Sequence, residues 1–186
     1  MARQACTKYI SRVERALGMK QGAQLWVVMG KTSAWGSEDT AVLTPSPGDL
    51  TVVDPFLAMK PIVTSMAVEV SSSDYNQLQD SNRASVSIDG QVTYLELVDD
   101  ADAIGRLARY LYIRAVYDPV VSGHPAFSSF RVYYLTSALV PAAGYENASW
   151  LVPDNIESFG VVEYENAGPA ILGGTAIVLP IVLEFR

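Results

Sequence analysis

Four groups of residues have side chains that chemistry uses. Gly30-Lys31-Thr32-Ser33 has the ending of a phosphate loop and follows the apolar run Leu25-Trp26-Val27-Val28-Met29, the strand context such a loop requires. The motif also needs a glycine five positions before Gly30. Leu25 stands there, and an extended apolar run does not wrap its amides around a phosphate, so a plain turn is expected. His124, the single histidine, sits between Gly123 and Pro125, with Ser122, Ser128 and Ser129 close by. A serine nucleophile needs such a base and a carboxylate to orient it, but no nucleophile elbow accompanies them. An exposed loop histidine is the expectation.

The acidic run Asp99-Asp100-Ala101-Asp102 offers calcium its preferred ligand atoms. It lacks the EF-hand spacing, the turn glycine and the closing bidentate glutamate, so it reads as a solvated loop or a helix cap. One cysteine, Cys6, and one histidine leave neither an internal disulfide nor the usual zinc ligand sets. Twenty acidic residues nominate no particular pair for glycoside hydrolysis. No catalytic, cofactor-binding or metal-ligating residue is assigned, no cofactor is expected, and the chain is expected not to be an enzyme.

The elements that would carry any site are mostly strands. Residues 7–17 place Tyr9, Ile10, Val13, Ala16 and Leu17 at helical spacing, with Gly18 as a stop, inside a helical N-terminal segment spanning 1–20. Residues 25–29 read as a buried strand, and residues 62–70 alternate as a second. Asp89-Gly90 signals a hairpin into 92–98, and a strict two-residue register leaves Gln91 and Thr93 on the face of Val86 and Ile88. Ala103, Leu107, Tyr110, Leu111 and Arg114 suit a helix, whereas Tyr110, Tyr112, Val116 and Tyr117 suit a strand, and the aromatic and β-branched content of 110–117 favours the strand there. Residues 131–136 and 160–165 follow. The last strand, 175–185, has Ile177, Leu179, Ile181, Leu183 and Phe185 on one face and Ala176, Val178 and Val182 on the other. Apolar residues on both faces predict cover on both sides, and Pro180 belongs at an edge or bulge because it lacks a ladder donor. That strand either completes a neighbour's sheet or lies within its own domain.

The sum is a mainly β (α+β) chain: one domain over 1–186, an antiparallel β-sandwich or barrel-like fold with a short N-terminal helix.

Size and charge narrow the partners. The chain has 186 residues, a net charge of −7 and a mean hydropathy of +0.18. The acidic balance argues against nucleic acid or an anionic membrane, both of which call for basic patches. Charged residues make up 18%, below the usual value of about 25%, as in chains that hide surface in permanent contacts. The uncharged run 166–183 is broken by Gly168, Pro169, Gly173, Gly174 and Pro180, so no membrane span is expected. No secretory h-region opens the chain. Aromatic residues in predicted loops, Trp35, Tyr145 and Trp150, suit contact surfaces, and Phe185 closes the apolar last strand.

A set of short motifs carries a family resemblance. They are Phe130-Arg131, the Leu-Val-Pro-Ala-Ala-Gly turn at Leu139 to Gly144, Gly160, Glu163-Tyr164-Glu165-Asn166, Pro169, and Leu183-Glu184-Phe185. Gly30-Lys31, Trp35 and Glu38-Asp39 add an N-terminal match. The chain resembles structural proteins of tailed-bacteriophage virions and is similar to the baseplate wedge proteins of contractile-tailed phages. The family pattern is richer in arginine after the Glu-Asn pair, where this chain has Ala167, Gly168 and Leu172. The resemblance implies a multi-copy virion part, assembled in the host cytoplasm and held by other tail and baseplate proteins as a homo- or hetero-oligomer, with no catalytic residue. Rival readings are a neck or head–tail connector, a carbohydrate- or receptor-binding β-sandwich module using Trp35 or Trp150, and a hydrolase whose acids cannot be paired from sequence.

Overall fold

The computed structural model describes residues 2–22, 24–31, 52–88, 91–120 and 123–185. In chain order the elements are α1 (Ala2–Gly22), β1 (Trp26–Gly30), β2 (Pro55–Met59), β3 (Val63–Glu69), α2 (Ser72–Tyr75), β4 (Arg83–Ile88), β5 (Gln91–Val98), α3 (Asp100–Ala103), β6 (Tyr110–Tyr117), β7 (Ser129–Ser137), β8 (Val140–Pro141), β9 (Trp150–Leu151), β10 (Ile156–Ser158), β11 (Val161–Leu172) and β12 (Ile177–Glu184). The protein is mainly β with an N-terminal helix, and the registered strand pairs are antiparallel. The strands form two five-stranded sheets, in the orders β11-β7-β1-β2-β9 and β12-β6-β3-β5-β4, and a ribbon of β10 with β8. Two compact units divide the chain. One comprises Met1–Ala23, Ile62–Arg114 and Pro180–Arg186; the other comprises Gln24–Pro61 and Ala115–Leu179.

The larger unit is built on β1. All five of its residues are buried, as the unbroken apolar run predicts. Val27 faces Leu135 on one side and Met59 on the other. Trp26, Val28, Ala58, Val132, Tyr134, Leu139 and Leu151 make one buried cluster along this sheet. Strand β2 is a finding beyond the sequence reading. Phe56-Leu57-Ala58-Met59 has no β-branched residue and lies between Pro55 and Pro61. It becomes a strand because buried β1 needs a partner, and Pro55 is tolerated as its first residue. In β11 the register passes from Val162 opposite Thr136 to Tyr164 opposite Leu135, so Glu163 is a bulged residue, and its carboxylate accepts from the Ser137 hydroxyl.

In the smaller unit, α1 runs through Gly18 to Gly22, past the predicted stop. Gly18 is exposed and does not have the positive φ that ends helices. An internal glycine costs a helix about 1 kcal/mol relative to alanine, which lowers its stability without ending it. Val13 and Ala16 are buried, and Lys20 pairs with Asp100 near the start of α3. The β4–β5 register is the strict two-residue one, which the mixed apolar face left open: Val86 faces Thr93 and Ile88 faces Gln91, with Asp89-Gly90 lying outside the described residues. Residues 110–117 are a strand.

Strand β12 pairs with β6 of its own chain and stands at a sheet edge, where Pro180 is expected. Leu179 and Ile181 are buried on one face, and Val182 packs on the cluster of Ala67, Ala84, Val86, Leu95, Tyr110 and Tyr112 on the other. The expectation of cover on both sides fails at Val178, which is 56% exposed, as an edge strand permits.

Gly160 marks where β11 begins. Its φ is +71°, and a Cβ there would lie 2.0 Å from the carbonyl oxygen of Ser137. Gly160→Ala therefore combines a strained backbone with a backbone clash. It is expected to lower the free energy of unfolding by at least about 2 kcal/mol, read from the urea midpoint.

Candidate assembly surface

The four predicted contact aromatics do not converge on one point. Trp35 lies outside the described residues. Tyr145 is 43% exposed on a well-held turn: its N–H donates to the Ala142 carbonyl, its carbonyl accepts from Ala148 N–H, and Ala142 N–H reaches the Asn155 carbonyl beside the ribbon. Gly144, at φ +91°, lets the chain double back there. Trp150 is half-buried in β9, with His124 set edge to face against it at 5.9 Å between ring centroids. Phe185 is half-buried in the smaller unit, and its N–H donates to the Arg109 carbonyl. Of the three described, Tyr145 is the exposed one, on a fixed support.

The groups singled out for chemistry are engaged in building the fold. The expected exposed His124 is in fact buried, at 8% exposure. Its Nδ1 accepts the Asp118 backbone N–H at 2.9 Å and its ring stacks on Tyr117, because turn residues on either side fold it inward. A triad base donates Nδ1–H to a carboxylate; here Nδ1 holds a lone pair toward a donor, which leaves the proton on Nε2. Lys31 has φ +56°; its N–H donates to the Val53 and Asp54 carbonyls and its amine reaches the Asp54 carboxylate at 3.5 Å. In the acidic run, Asp99 occupies the N-cap position of α3 without a side-chain cap bond. Asp100 pairs with Lys20 and accepts from Gln21, and the Lys20 hydrogen bond holds its carboxyl below the usual range.

A cavity of about 340 Å³ in the smaller unit is lined by Tyr9, Val68, Glu69, Arg106, Leu107, Arg109 and Tyr110. Its charges already have partners. Arg106 makes a two-pronged contact with Glu96 at 3.1 and 2.6 Å, Arg109 reaches Glu184 and the Tyr110 hydroxyl, and that hydroxyl donates to Glu69. A fork of two parallel bonds is the geometry that satisfies a guanidinium. The cavity therefore nominates no charged ligand.

Charge is distributed unevenly. By sequence the smaller unit holds ten acidic and ten basic residues, and the larger holds ten acidic residues against Lys31, Lys60 and Arg131. The whole net charge of −7 thus belongs to the larger unit. Residues 132–185 contain Glu146, Asp154, Glu157, Glu163, Glu165 and Glu184 and no lysine, arginine or histidine. Glu146, Asp154, Glu157 and Glu163 are exposed, as are Val140, Tyr145 and Val161. Burial raises the Glu165 carboxyl, and backbone N–H groups of Glu146 itself and Gly144 lower that of Glu146. This base-free run was visible in the sequence, but whole-chain composition averages it away. It also contains the positions where the resemblance expects arginine.

Among the described residues no helix is long and apolar enough to cross a membrane. A family model described as a baseplate wedge 3 tail fiber network component matches residues 4–179. No curated protein matches the chain.

The buried imidazole carries a pH dependence. Desolvation holds the His124 pKa below its ordinary 6.5, against a smaller opposing effect of Asp118. The unfolded chain takes up this proton below pH 6.5 and the folded chain resists it. His124 stabilisation is therefore complete above 6.5 and lost as pH falls through the folded value. The urea midpoint should fall between about pH 7.5 and about pH 5.5, and fall less in His124→Gln. Equal falls in the two proteins would remove His124 as the source.

Proposed function

The chain belongs to the family of baseplate wedge 3 tail fiber network components, and from that premise we propose that it is a structural part of a phage tail baseplate that works by fitting against neighbouring virion proteins. The observation that carries this reading is the base-free run 132–185, which includes exposed carboxylates together with exposed Val140, Tyr145 and Val161. Apolar and aromatic contacts within a field of one sign suit a partner surface of the opposite sign. The partners are other tail and baseplate proteins with basic faces; nucleic acid, being an anion, is disfavoured. The chain resides in the virion tail, is assembled in the host cytoplasm, and catalyses nothing. In support, Lys31, His124, Arg106 and Arg109 are all committed to contacts within the fold.

The test mixes the purified chain with each of the other baseplate proteins of the same virus and weighs the products by light scattering after gel filtration. A stable mass increment with at least one is expected. The exposed Asp154→Lys, Glu157→Lys double variant should weaken that complex about tenfold while leaving the urea midpoint nearly unchanged. A chain that joins none of them, or that turns over a small molecule at a defined pocket, would overturn the reading.

A further inference from the structure

Two open sheets have four edges, and three of them carry a feature that blocks pairing with another strand. Strand β9 has two residues. Strand β11 is bulged at Glu163, carries Glu163 and Glu165, and includes Pro169. Strand β12 contains Pro180. Strand β4 has none of these. Its six residues pair one for one with β5, from Arg83 opposite Glu96 to Ile88 opposite Gln91. It has no proline, and its single charge, Arg83, is already paired with Asp80. Ala84 and Val86 are buried and Ser85 and Ser87 are exposed; among the described residues no strand lies on its outer side.

We propose that β4 pairs antiparallel with β4 of a second copy of this chain, joining two five-stranded sheets across a two-fold axis. The strand complements itself. Directly opposed residues of an antiparallel pair share a face, so a register that continues the buried face sets even-numbered residues against even-numbered ones. The Ala84–Val86 row then continues from copy to copy, and serines meet serines or Arg83. Small hydroxyl side chains let the backbones approach and hydrogen-bond across the pair. Charge also selects a second copy: the unit that contains β4 is balanced at ten acids and ten bases, whereas the other unit would repel its own image. With Pro180 blunting the opposite edge of the same sheet, the pairing closes as a dimer and does not propagate. The inference deepens the assembly reading by naming a further partner, and its test uses the chain alone.

Sedimentation of the full chain over a concentration series is expected to show a monomer–dimer equilibrium. Ser85→Lys with Ser87→Lys places like charges opposite each other in any such register. It should weaken the dimer about tenfold or abolish it, with circular dichroism and urea midpoint preserved because both positions are exposed. An equal mixture of this variant with Ser85→Glu, Ser87→Glu should dimerise again, because lysine then opposes glutamate across the pair. A wild-type chain that is monomeric throughout, or a lysine variant that dimerises like wild type, overturns the proposal. A monomeric lysine variant that still adds to other baseplate proteins would separate this contact from the acidic docking surface.

Discussion

A strand with no water beside it must find all of its hydrogen bonds in its neighbours, and β1 is in that position. Each of its five residues is buried, so their N–H and C=O groups are satisfied only through β2 and β7. Much of the larger unit follows from this requirement. It draws the weakly patterned 55–59 segment into a strand and seats β7 between β1 and β11. It also brings 53–54 so close to the end of β1 that a Cβ on Gly30 would lie 2.4 Å from the Val53 carbonyl oxygen. Tyr134 completes the arrangement: its hydroxyl accepts the Val53 N–H, and burial pushes its pKa up to about 12, so it stays a neutral partner at any physiological pH.

The same obligation reappears, unmet, where the sheets stop. An edge strand presents backbone groups that another chain can satisfy, and most edges here are shortened, bulged or broken by proline. Among the described residues this leaves a regular, proline-free edge at β4, and exposed carboxylates and apolar side chains on and near the β8–β10 ribbon. The two differ in what they demand. The first asks for backbone and small side chains, the second for opposite charge.

The polar residues that looked like chemistry are spent on tying loops and helices to these sheets. His124 fixes the turn after β6, Asp100 holds the end of α1, and Arg106 spans to Glu96 on β5. An imidazole, a carboxylate and a guanidinium serve equally well as hydrogen-bonding struts, which is why their presence in a sequence is poor evidence of a reaction. The family match over residues 4–179 is in keeping with such a use.

Alternation, glycine and proline placement, and residue type pointed on their own to the mainly antiparallel β class, the N-terminal helix, a strand over 110–117 and a hairpin at Asp89-Gly90, and they confined Pro180 to an edge or a bulge. These are local properties, set by side-chain period and by which backbone conformations a residue permits. The whole net charge and the base-free run were legible too, as plain counts along the chain. Tertiary structure alone decided that 55–59 is a strand, that α1 outlasts Gly18, that His124 is buried, and that β4 is the unprotected edge. Each of those depends on which segments become neighbours. Whether a hydrogen-bonding group meets water or a distant strand is a property of the folded arrangement, and no window of sequence contains it.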